Sequence, residues 1–327
     1  MTGTLPQALL EVDGLTVDFE QPDLPTARAV DRVDFVLRRG QVLGIVGESG
    51  CGKTTLALSL LRLLPGAGRI VGGRIVYLGD DLLDLREEQM AAIRWRQIAI
   101  VFQGAMNALN PVRTVGDQIA EAIHRHLPEV SGPEVEARVG RLLDMVGINP
   151  ARAKDYPHQY SGGMRQRAVI AMALACGPTI LIADEPTTAL DVMIQAQILR
   201  LLQELKQSLG LALILVTHDL GVVAEMCDHV LVMYGGIVAE IGGVDDIFNA
   251  PRHPYTQALL RAFPDISRPS DRMQAIPGTP PRLDPPPPGC RFADRCPSVM
   301  ARCRVEAPAD HLLRPGHRAR CHLVEAG

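Results

Sequence analysis

Apolar residues recur along the chain in short blocks that turn-forming and charged residues separate. Loose alternation at 10–19 predicts a first strand, and largely continuous apolar runs at 42–46, 180–184 and 212–216 predict buried strands. Further short strands are predicted at 34–37, 74–78, 98–102, 230–233 and 237–240. Helical periodicity predicts helices at 55–63, 85–93, 115–146 with a break at 128–133, 162–176, 194–209 and 253–261.

The pattern as a whole predicts an α/β protein in which a helical insertion at 115–146 interrupts the strands. The strand at 237–240 is predicted to close the sheet. From about residue 250 the character of the chain changes, because the proline-rich tract at 269–288 cannot form regular structure. Four of the seven cysteines then follow in the last forty residues, at Cys290, Cys296, Cys303 and Cys321.

Composition narrows the class of protein. A chain of 327 residues allows two domains or one large domain with an appendix, and 47% apolar with 21% charged residues is typical of a globular protein. The net charge of −4 argues against a nucleic-acid binder held by a basic surface. No apolar run reaches eighteen residues and the N-terminus lacks a signal-peptide pattern. We therefore expect a cytosolic chain, where disulfides are disfavoured.

The most specific motif is Gly47-Glu-Ser-Gly-Cys-Gly-Lys53-Thr54, which lies between the predicted strand 42–46 and the predicted helix 55–63. In this setting, G-x-x-x-x-G-K-[ST] forms a phosphate-binding loop. Its glycines let successive N–H groups turn inward around an anion. Lys53 supplies a mobile charge for the β- and γ-phosphates, and the Thr54 hydroxyl can complete a Mg²⁺ shell. The sequence therefore predicts binding of a nucleoside triphosphate.

Polar residues follow two of the predicted buried strands. Behind a phosphate-binding loop, Asp184 is the expected Mg²⁺ anchor and Glu185 a candidate general base for water. His218 follows the strand at 212–216, and we expect it to face the phosphates. Phe19 is the aromatic residue ahead of the loop that can stack on a base, with packing at a strand end as the alternative.

Ser161-Gly162-Gly163 opens the predicted helix 162–176. Ser161 is a good N-cap, and the two glycines free neighbouring N–H groups for an anion. Taken alone, this pattern is more often a helix cap than a binding site.

Six motifs, in the family's order along the chain, make the sequence resemble the ATP-binding cassette (ABC) family over roughly residues 9–247. The loop matches Walker A, residues 180–185 match Walker B, and Gln103 matches the Q-loop. The family signature matches 160–166, the D-loop matches 188–191, and His218 matches the switch histidine. The signature departs from the usual L-S-G-G-Q, because Tyr160 replaces Leu and Met-Arg-Gln replaces the immediate Gln.

The resemblance implies a P-loop NTPase (RecA-like) nucleotide-binding domain with an antiparallel β subdomain, an inserted α-helical subdomain and a small C-terminal cysteine-rich extension. The implied division is a RecA-like core with the β subdomain at 1–103 and 177–249, a helical subdomain with the signature motif at 104–176, and the extension at 250–327.

The resemblance also implies site residues for ATP and Mg²⁺. The implied catalytic residues are Glu185, His218, Gln103 and Lys53. The implied nucleotide-binding residues are Phe19, Gly47, Glu48, Ser49, Gly50, Cys51, Gly52, Lys53, Thr54, Thr55, Gln103, Ser161, Gly162, Gly163, Gln166, Asp184, Asp191 and His218. The implied Mg²⁺ ligands are Thr54, Gln103 and Asp184.

Partners are implied by the same resemblance. In the family, the signature residues close on the γ-phosphate that a second subunit holds, so one chain carries two halves of two different sites. This implies a homo- or heterodimer of cassettes, two transmembrane permease subunits, an extracytoplasmic peptide-binding protein and no nucleic acid. The expected location is peripheral, on the cytoplasmic face of the cell (inner) membrane.

The finer resemblance is to the dipeptide and oligopeptide importer branch. It is carried by Phe102-Gln-Gly-Ala-Met-Asn-Ala-Leu-Asn-Pro, His253-Pro-Tyr-Thr-Gln-Ala-Leu-Leu and Pro-Gly-Cys290-Arg-Phe-Ala-Asp-Arg-Cys296-Pro. Importers of nickel or glutathione share much of this branch. Two further functions stay open, namely a soluble cassette protein that acts on DNA or the ribosome and a subunit that binds ATP without hydrolysis.

The cysteine spacing C-x5-C-x6-C-x17-C leaves three interpretations open. Disulfides are disfavoured by the expected compartment. Zinc takes four thiolates, but the usual tight C-x2-4-C pair is missing. A [4Fe-4S] cluster also takes four thiolates and tolerates loose spacing. The resemblance implies the cluster, with Zn²⁺ as the alternative, on Cys290, Cys296, Cys303 and Cys321, and we expect the tail to need the metal in order to fold.

Overall fold

The computed structural model describes residues 8–20, 22, 25–104, 108–188, 190–262 and 275–325. Its strands are β1 (Ala8–Phe19), β2 (Ala27–Arg38), β3 (Val42–Val46), β4 (Gly68–Tyr77), β5 (Asp80–Asp81), β6 (Ile98–Val101), β7 (Ile180–Asp184), β8 (Ala212–Val216), β9 (His229–Tyr234), β10 (Ile237–Gly243), β11 (His311–Arg314) and β12 (His317–Ala319). Its α-helices are α1 (Lys53–Ser59), α2 (Glu87–Ile93), α3 (Val115–His126), α4 (Gly132–Met145), α5 (Gly162–Ala173), α6 (Val192–Leu209), α7 (Leu220–Met226), α8 (Val244–Asn249) and α9 (Pro254–Ala262).

The chain forms two compact units. Unit 1 contains Asp84–Leu215, and unit 2 comprises Gln7–Leu83 and Val216–Gly327. Several predicted features lie outside the described residues, namely 105–107 of the motif after Gln103, residue 189 of the D-loop, and the first part of the proline-rich tract. The division into core, helical subdomain and extension stays a prediction. In the described part of the chain, no helix is both long and apolar enough to cross a membrane.

Unit 2 contains an antiparallel sheet in the order β2-β1-β4-β5. The strand predicted at 34–37 is part of the longer strand β2. The register between β1 and β2 shifts between the pairs Leu15–Val33 and Val17–Val30, where Arg32 adopts a left-handed conformation (φ 48°). The strand β3 runs parallel to β9, and all five of its residues are buried. A strand covered on both faces has no polar positions, which is why the apolar run 42–46 predicts this strand to the residue.

The prediction that the strand at 237–240 closes the sheet is wrong. Strand β12 pairs antiparallel with β10, and β11 pairs antiparallel with β12. These two strands have only four and three residues and are rich in His and Arg, so they carry no clear hydrophobic alternation. The C-terminal segment therefore extends, with β12 and β11, the sheet that contains β3, β9 and β10.

Unit 1 contains neighbouring strands in the order β8-β7-β6, with β6 and β7 parallel. The predicted break in the helical stretch is confirmed, since α3 ends at His126 and α4 begins at Gly132. Helix α5 is fixed against its neighbours by two hydrogen bonds to main-chain carbonyls. The Trp95 indole N–H donates to the Met172 carbonyl at 2.7 Å, and Arg167 donates to the Val146 carbonyl at 2.9 Å.

An aromatic cluster joins the C-terminal segment to the rest of unit 2. Phe292 is 2% exposed, and its ring centroid lies 5.2 Å from that of Tyr234 and 5.4 Å from that of Tyr255. Arg291, next to it in the chain, donates hydrogen bonds to Asp31 in β2 and to the Gly235 carbonyl. Apolar burial and a paired buried charge thus hold this segment against β2 and β9.

We expect Phe292→Ala to lower the free energy of unfolding by about 3–5 kcal/mol, because truncation leaves a cavity beside the Tyr234 and Tyr255 rings. Denaturant unfolding measures this loss, and limited proteolysis reports loosening of the C-terminal segment. The control is Leu312→Ala, since Leu312 is 68% exposed and its removal leaves no cavity. Equal stability of the two variants would show that the aromatic cluster does not hold the segment.

Candidate functional site

The loop between β3 and α1 has the backbone conformation of an anion-binding nest. Gly47, Gly50 and Gly52 have φ of 148°, 77° and 103°, a region that side chains rarely allow. A Cβ at Gly47 would lie 2.2 Å from the Met233 carbonyl oxygen, and one at Gly52 would lie 2.3 Å from the Ala29 carbonyl oxygen. Only glycine fits at these two positions, so the loop's shape follows directly from its sequence.

Lys53 is folded over this loop. Its Nζ donates to the carbonyl oxygens of Gly47 at 2.8 Å and Glu48 at 3.0 Å, and the residue is 7% exposed. Cys51 is 3% exposed, and burial raises the pKa of its thiol. Cys51 therefore packs inside the loop, whereas Ser49, Gly50 and Thr54 lie at the surface, where an incoming phosphate can reach them.

The second residue of the loop has partners that sequence reasoning missed. The Glu48 amide donates to the Tyr255 hydroxyl at 2.9 Å, and its carboxylate accepts two hydrogen bonds from Arg295. These partners are 207 and 247 residues away in the chain. The sequence carries no local signal for such pairs.

His218 and Phe19 also belong to unit 2. His218 is exposed on the turn after β8, between Thr217, whose amide donates to the Ile45 carbonyl, and Asp219, which caps α7. Phe19 ends β1 opposite Gly68, where a Cβ would lie 3.1 Å from the Phe19 ring. The ring therefore packs on the strand end, and its stacking on a base stays a prediction.

Unit 1 contains the two carboxylates and the predicted Q-loop residue. Asp184 is 1% exposed at the end of β7, and Glu185 follows it in a left-handed conformation (φ 47°). The Gln103 amide donates to Glu185 Oε2 at 2.7 Å, and the Thr188 hydroxyl donates to the same oxygen at 3.0 Å. A strained non-glycine residue held by two side chains is common at functional sites. The structure thus brings Gln103 and Glu185 together.

The signature residues lie at the start of α5, as predicted. The Ser161 hydroxyl accepts a hydrogen bond from the Met164 amide at 3.3 Å, so Ser161 is the N-cap. Gly163 approaches Ile194 so closely that a Cβ would lie 2.7 Å from its methyl carbon. Asp191 caps α6 through the Ile194 amide at 3.0 Å, and Gln166 is 3% exposed.

The four C-terminal cysteines line one small cavity. It is lined by Cys290, Cys296, Cys303 and Cys321 together with His253 and His322. All four cysteines are free thiols, and burial raises the pKa of Cys290 to about 11. Among the described residues, however, no group of three or more His, Cys, Asp or Glu side chains is placed to hold a metal ion. The metal predicted for this segment stays a prediction.

We expect Gly52→Ala to abolish nucleoside triphosphate binding, because its Cβ would clash with the Ala29 carbonyl and displace the loop. Equilibrium titration with a fluorescent ATP analogue measures this loss. The control is Gly40→Ala, which has a similar φ of 70° but open space around its Cβ. It costs about 1–2 kcal/mol of stability through backbone strain and keeps binding. Retained binding in Gly52→Ala would contradict the role given to this contact.

Comparison with known proteins places the chain and its fold in a family. Residues 30–188 match the family described as ABC transporter, and residues 239–303 match the oligopeptide/dipeptide transporter C-terminal region. The chain is 50% identical to a probable peptide ABC transporter ATP-binding protein, y4tR, of Sinorhizobium fredii, over 96% of this chain and 94% of the relative. It is 47% identical to the dipeptide transport ATP-binding protein DppD of Escherichia coli, over 98% of both chains.

A solved structure of the ATP-binding cassette MJ0796, a dimeric post-hydrolysis state bound to ADP and phosphate, superposes with a TM-score of 0.64 at 27% identity. The match covers 72% of this chain and 99% of that one. The architecture is accordingly the ABC ATPase cassette fold with mixed α/β sheets. The family matches, the extended identity to the relatives and the phosphate-binding loop lead to one conclusion: the chain belongs to the ABC transporter family, as an ATPase subunit.

Proposed function

We propose that this chain hydrolyses ATP to energise the import of dipeptides or oligopeptides across the cytoplasmic membrane. The observation that carries the proposal is the match of residues 239–303 to the oligopeptide/dipeptide transporter C-terminal region, beyond the shared cassette. Relatives that match along nearly the full chain are described as peptide or dipeptide transport proteins. Nickel and glutathione import, and a role on DNA or the ribosome, are not favoured by these relatives.

In the proposed mechanism, the loop from Gly47 to Thr55 holds the triphosphate, and Lys53 moves from its carbonyl partners to the β- and γ-phosphates. Thr54, Gln103 and Asp184 would hold Mg²⁺, which would neutralise charge on the phosphates. Glu185 polarises the attacking water, and His218 holds charge in line with the γ-phosphate. The proposal for Glu185 is supported by its bond to Gln103, because an oriented base needs a fixed carboxylate.

A second cassette completes each site in this proposal. Ser161, Gly163, Gln166 and Asp191 act on the nucleotide that a partner cassette binds, so ATP closes the dimer and hydrolysis releases it. The exposure of Ser161 at the N-terminus of α5 supports this, since the N-terminus of a helix favours binding of a phosphate. The motion passes to two permease subunits at the cytoplasmic face of the membrane, and an extracytoplasmic binding protein supplies the peptide.

We expect Glu185→Gln to retain ATP binding but to lose at least about 100-fold in hydrolysis, the contribution typical of a general base. Phosphate release and nucleotide titration on the purified chain separate the two effects, and gel filtration with ATP reports a trapped dimer. The control is Glu225→Gln, an exposed carboxylate on α7. Hydrolysis at the wild-type rate in Glu185→Gln would exclude Glu185 as the base.

The same variant tests the cargo. Cells that carry the wild-type chain with its permease should accumulate a labelled dipeptide, and cells that carry Glu185→Gln should not. Uptake of labelled nickel or glutathione should be unaffected by the variant. Loss of nickel or glutathione uptake, with dipeptide uptake intact, would assign the chain to the nickel or glutathione importers instead.

We further propose that residues 250–327 form a cysteine-rich extension with a [4Fe-4S] cluster on Cys290, Cys296, Cys303 and Cys321. The support is that the four cysteines line one small cavity. The loose cysteine spacing, without the tight C-x2-4-C pair usual for zinc, favours the cluster over the alternative, Zn²⁺. A bound cluster would link four positions, 290, 296, 303 and 321, of a segment with few apolar residues.

Anaerobic purification should yield about four irons with matching sulfide and visible absorption, since each cluster iron takes one thiolate. Cys296→Ser should lower the iron content and destabilise the C-terminal segment, as judged by metal analysis and thermal unfolding. Cys176→Ser, a buried cysteine of unit 1, is the control and should keep the metal. One zinc per chain and no visible absorption would show that the cysteines bind zinc and not a cluster. A Cys296→Ser variant that is stable and keeps its full metal content would refute the four-ligand proposal.

A further inference from the structure

Glu48 is fixed at both ends by residues of the C-terminal third of unit 2. Its amide donates to the Tyr255 hydroxyl at 2.9 Å. Its carboxylate receives the Arg295 guanidinium in a forked contact, Nη1 to Oε2 at 2.5 Å and Nη2 to Oε1 at 2.9 Å. Two parallel hydrogen bonds between planar, charged groups fix direction as well as distance.

Arg295 is itself held rigidly before it reaches the loop. Its Nε donates to the Pro277 carbonyl at 2.7 Å, and a second bond runs to the Ile276 carbonyl at 3.2 Å. The guanidinium also donates to the Tyr234 hydroxyl at 3.1 Å. The side chain is 4% exposed, so its position is set by the protein interior and not by solvent. A side chain fixed in this way adds little ordering cost to the pair with Glu48.

The pair also changes the charge of the loop. Glu48 is an acidic residue in a loop that is proposed to bind a highly negative triphosphate, five residues from Lys53. An uncompensated carboxylate there would repel the phosphates and draw the Lys53 ammonium toward itself. Arg295 cancels this charge at hydrogen-bond distance.

We propose that Arg295 is a positioning residue of the ATP site, which the C-terminal segment supplies to the phosphate-binding loop. It neutralises Glu48 and, together with Tyr255, holds the Glu48 peptide so that the following amides remain turned toward the triphosphate. The inference rests on the proposed assignment of the loop as the ATP site. The segment that follows β10 then contributes two side chains, Tyr255 and Arg295, to that site.

A double-mutant cycle separates this role from simple anchoring of the segment. Arg295→Met leaves Glu48 uncompensated, and we expect ATP to bind about tenfold more weakly, the size of one screened charge near the phosphates. Adding Glu48→Gln removes that charge, so the double variant should recover most of the lost affinity. Anchoring alone predicts no recovery, because the contact between Arg295 and Glu48 is absent in both variants.

The measurement is the equilibrium Kd of a fluorescent ATP analogue on the full-length chain, with thermal unfolding recorded for each variant. Arg304→Met is the matched control, since Arg304 lies in the same segment and pairs with Asp294 at 2.6 Å on the surface. It should bind ATP as the wild type does. If Arg295→Met fails to fold, Glu48→Gln alone provides the test. This variant should bind ATP more tightly than the wild type at low salt, because Arg295 then remains as an unbalanced positive charge.

Wild-type affinity in Arg295→Met would overturn the inference, and so would a double variant that binds as weakly as Arg295→Met. Weaker binding in Glu48→Gln alone would overturn it as well. Absence of ATP binding in the wild-type chain is a different result, since it would contradict the proposed function itself.

Discussion

The phosphate-binding loop depends on two places where main chain lies against main chain with no room for a side chain. At Gly47 the neighbour is the Met233 carbonyl in β9, and at Gly52 it is the Ala29 carbonyl in β2. Both glycines have φ in the left-handed region, so steric fit and backbone conformation impose the same residue type. Strands β9 and β2 therefore restrict the loop from two sides, and the loop conformation depends on the position of both strands.

Residues of the proposed site are held in position by side chains that lie far away in the sequence. The loop motif determines the turn, but the peptide and carboxylate of Glu48 are held by Tyr255 and Arg295, far along the chain. In unit 1, Glu185 is held by Gln103 across 82 residues of sequence. In both units a residue of the proposed chemistry is fixed by a side chain from another segment, which is how a loop residue gains a defined position.

The sequence predicts the parts of the fold that local physics controls. It predicts strands β3 and β8 to the residue, because fully buried strands are continuous apolar runs. It also places Ser161 correctly as the N-cap of a helix, since capping depends on residues within one turn. The phosphate-binding loop is recognisable because sterics require its glycines.

What the sequence could not predict depends on packing between remote segments. Strands β11 and β12 are short and polar, and they exist because β10 offers an edge for pairing. The cysteines mark the tail as a candidate metal carrier, whereas Phe292, Arg291 and Arg295 also anchor it by burial and charge. Arg295 lies immediately before Cys296, in the turn that places this cysteine in the shared cavity. The turn that borders this cavity therefore also holds Glu48 of the loop between β3 and α1, through the side chain of Arg295.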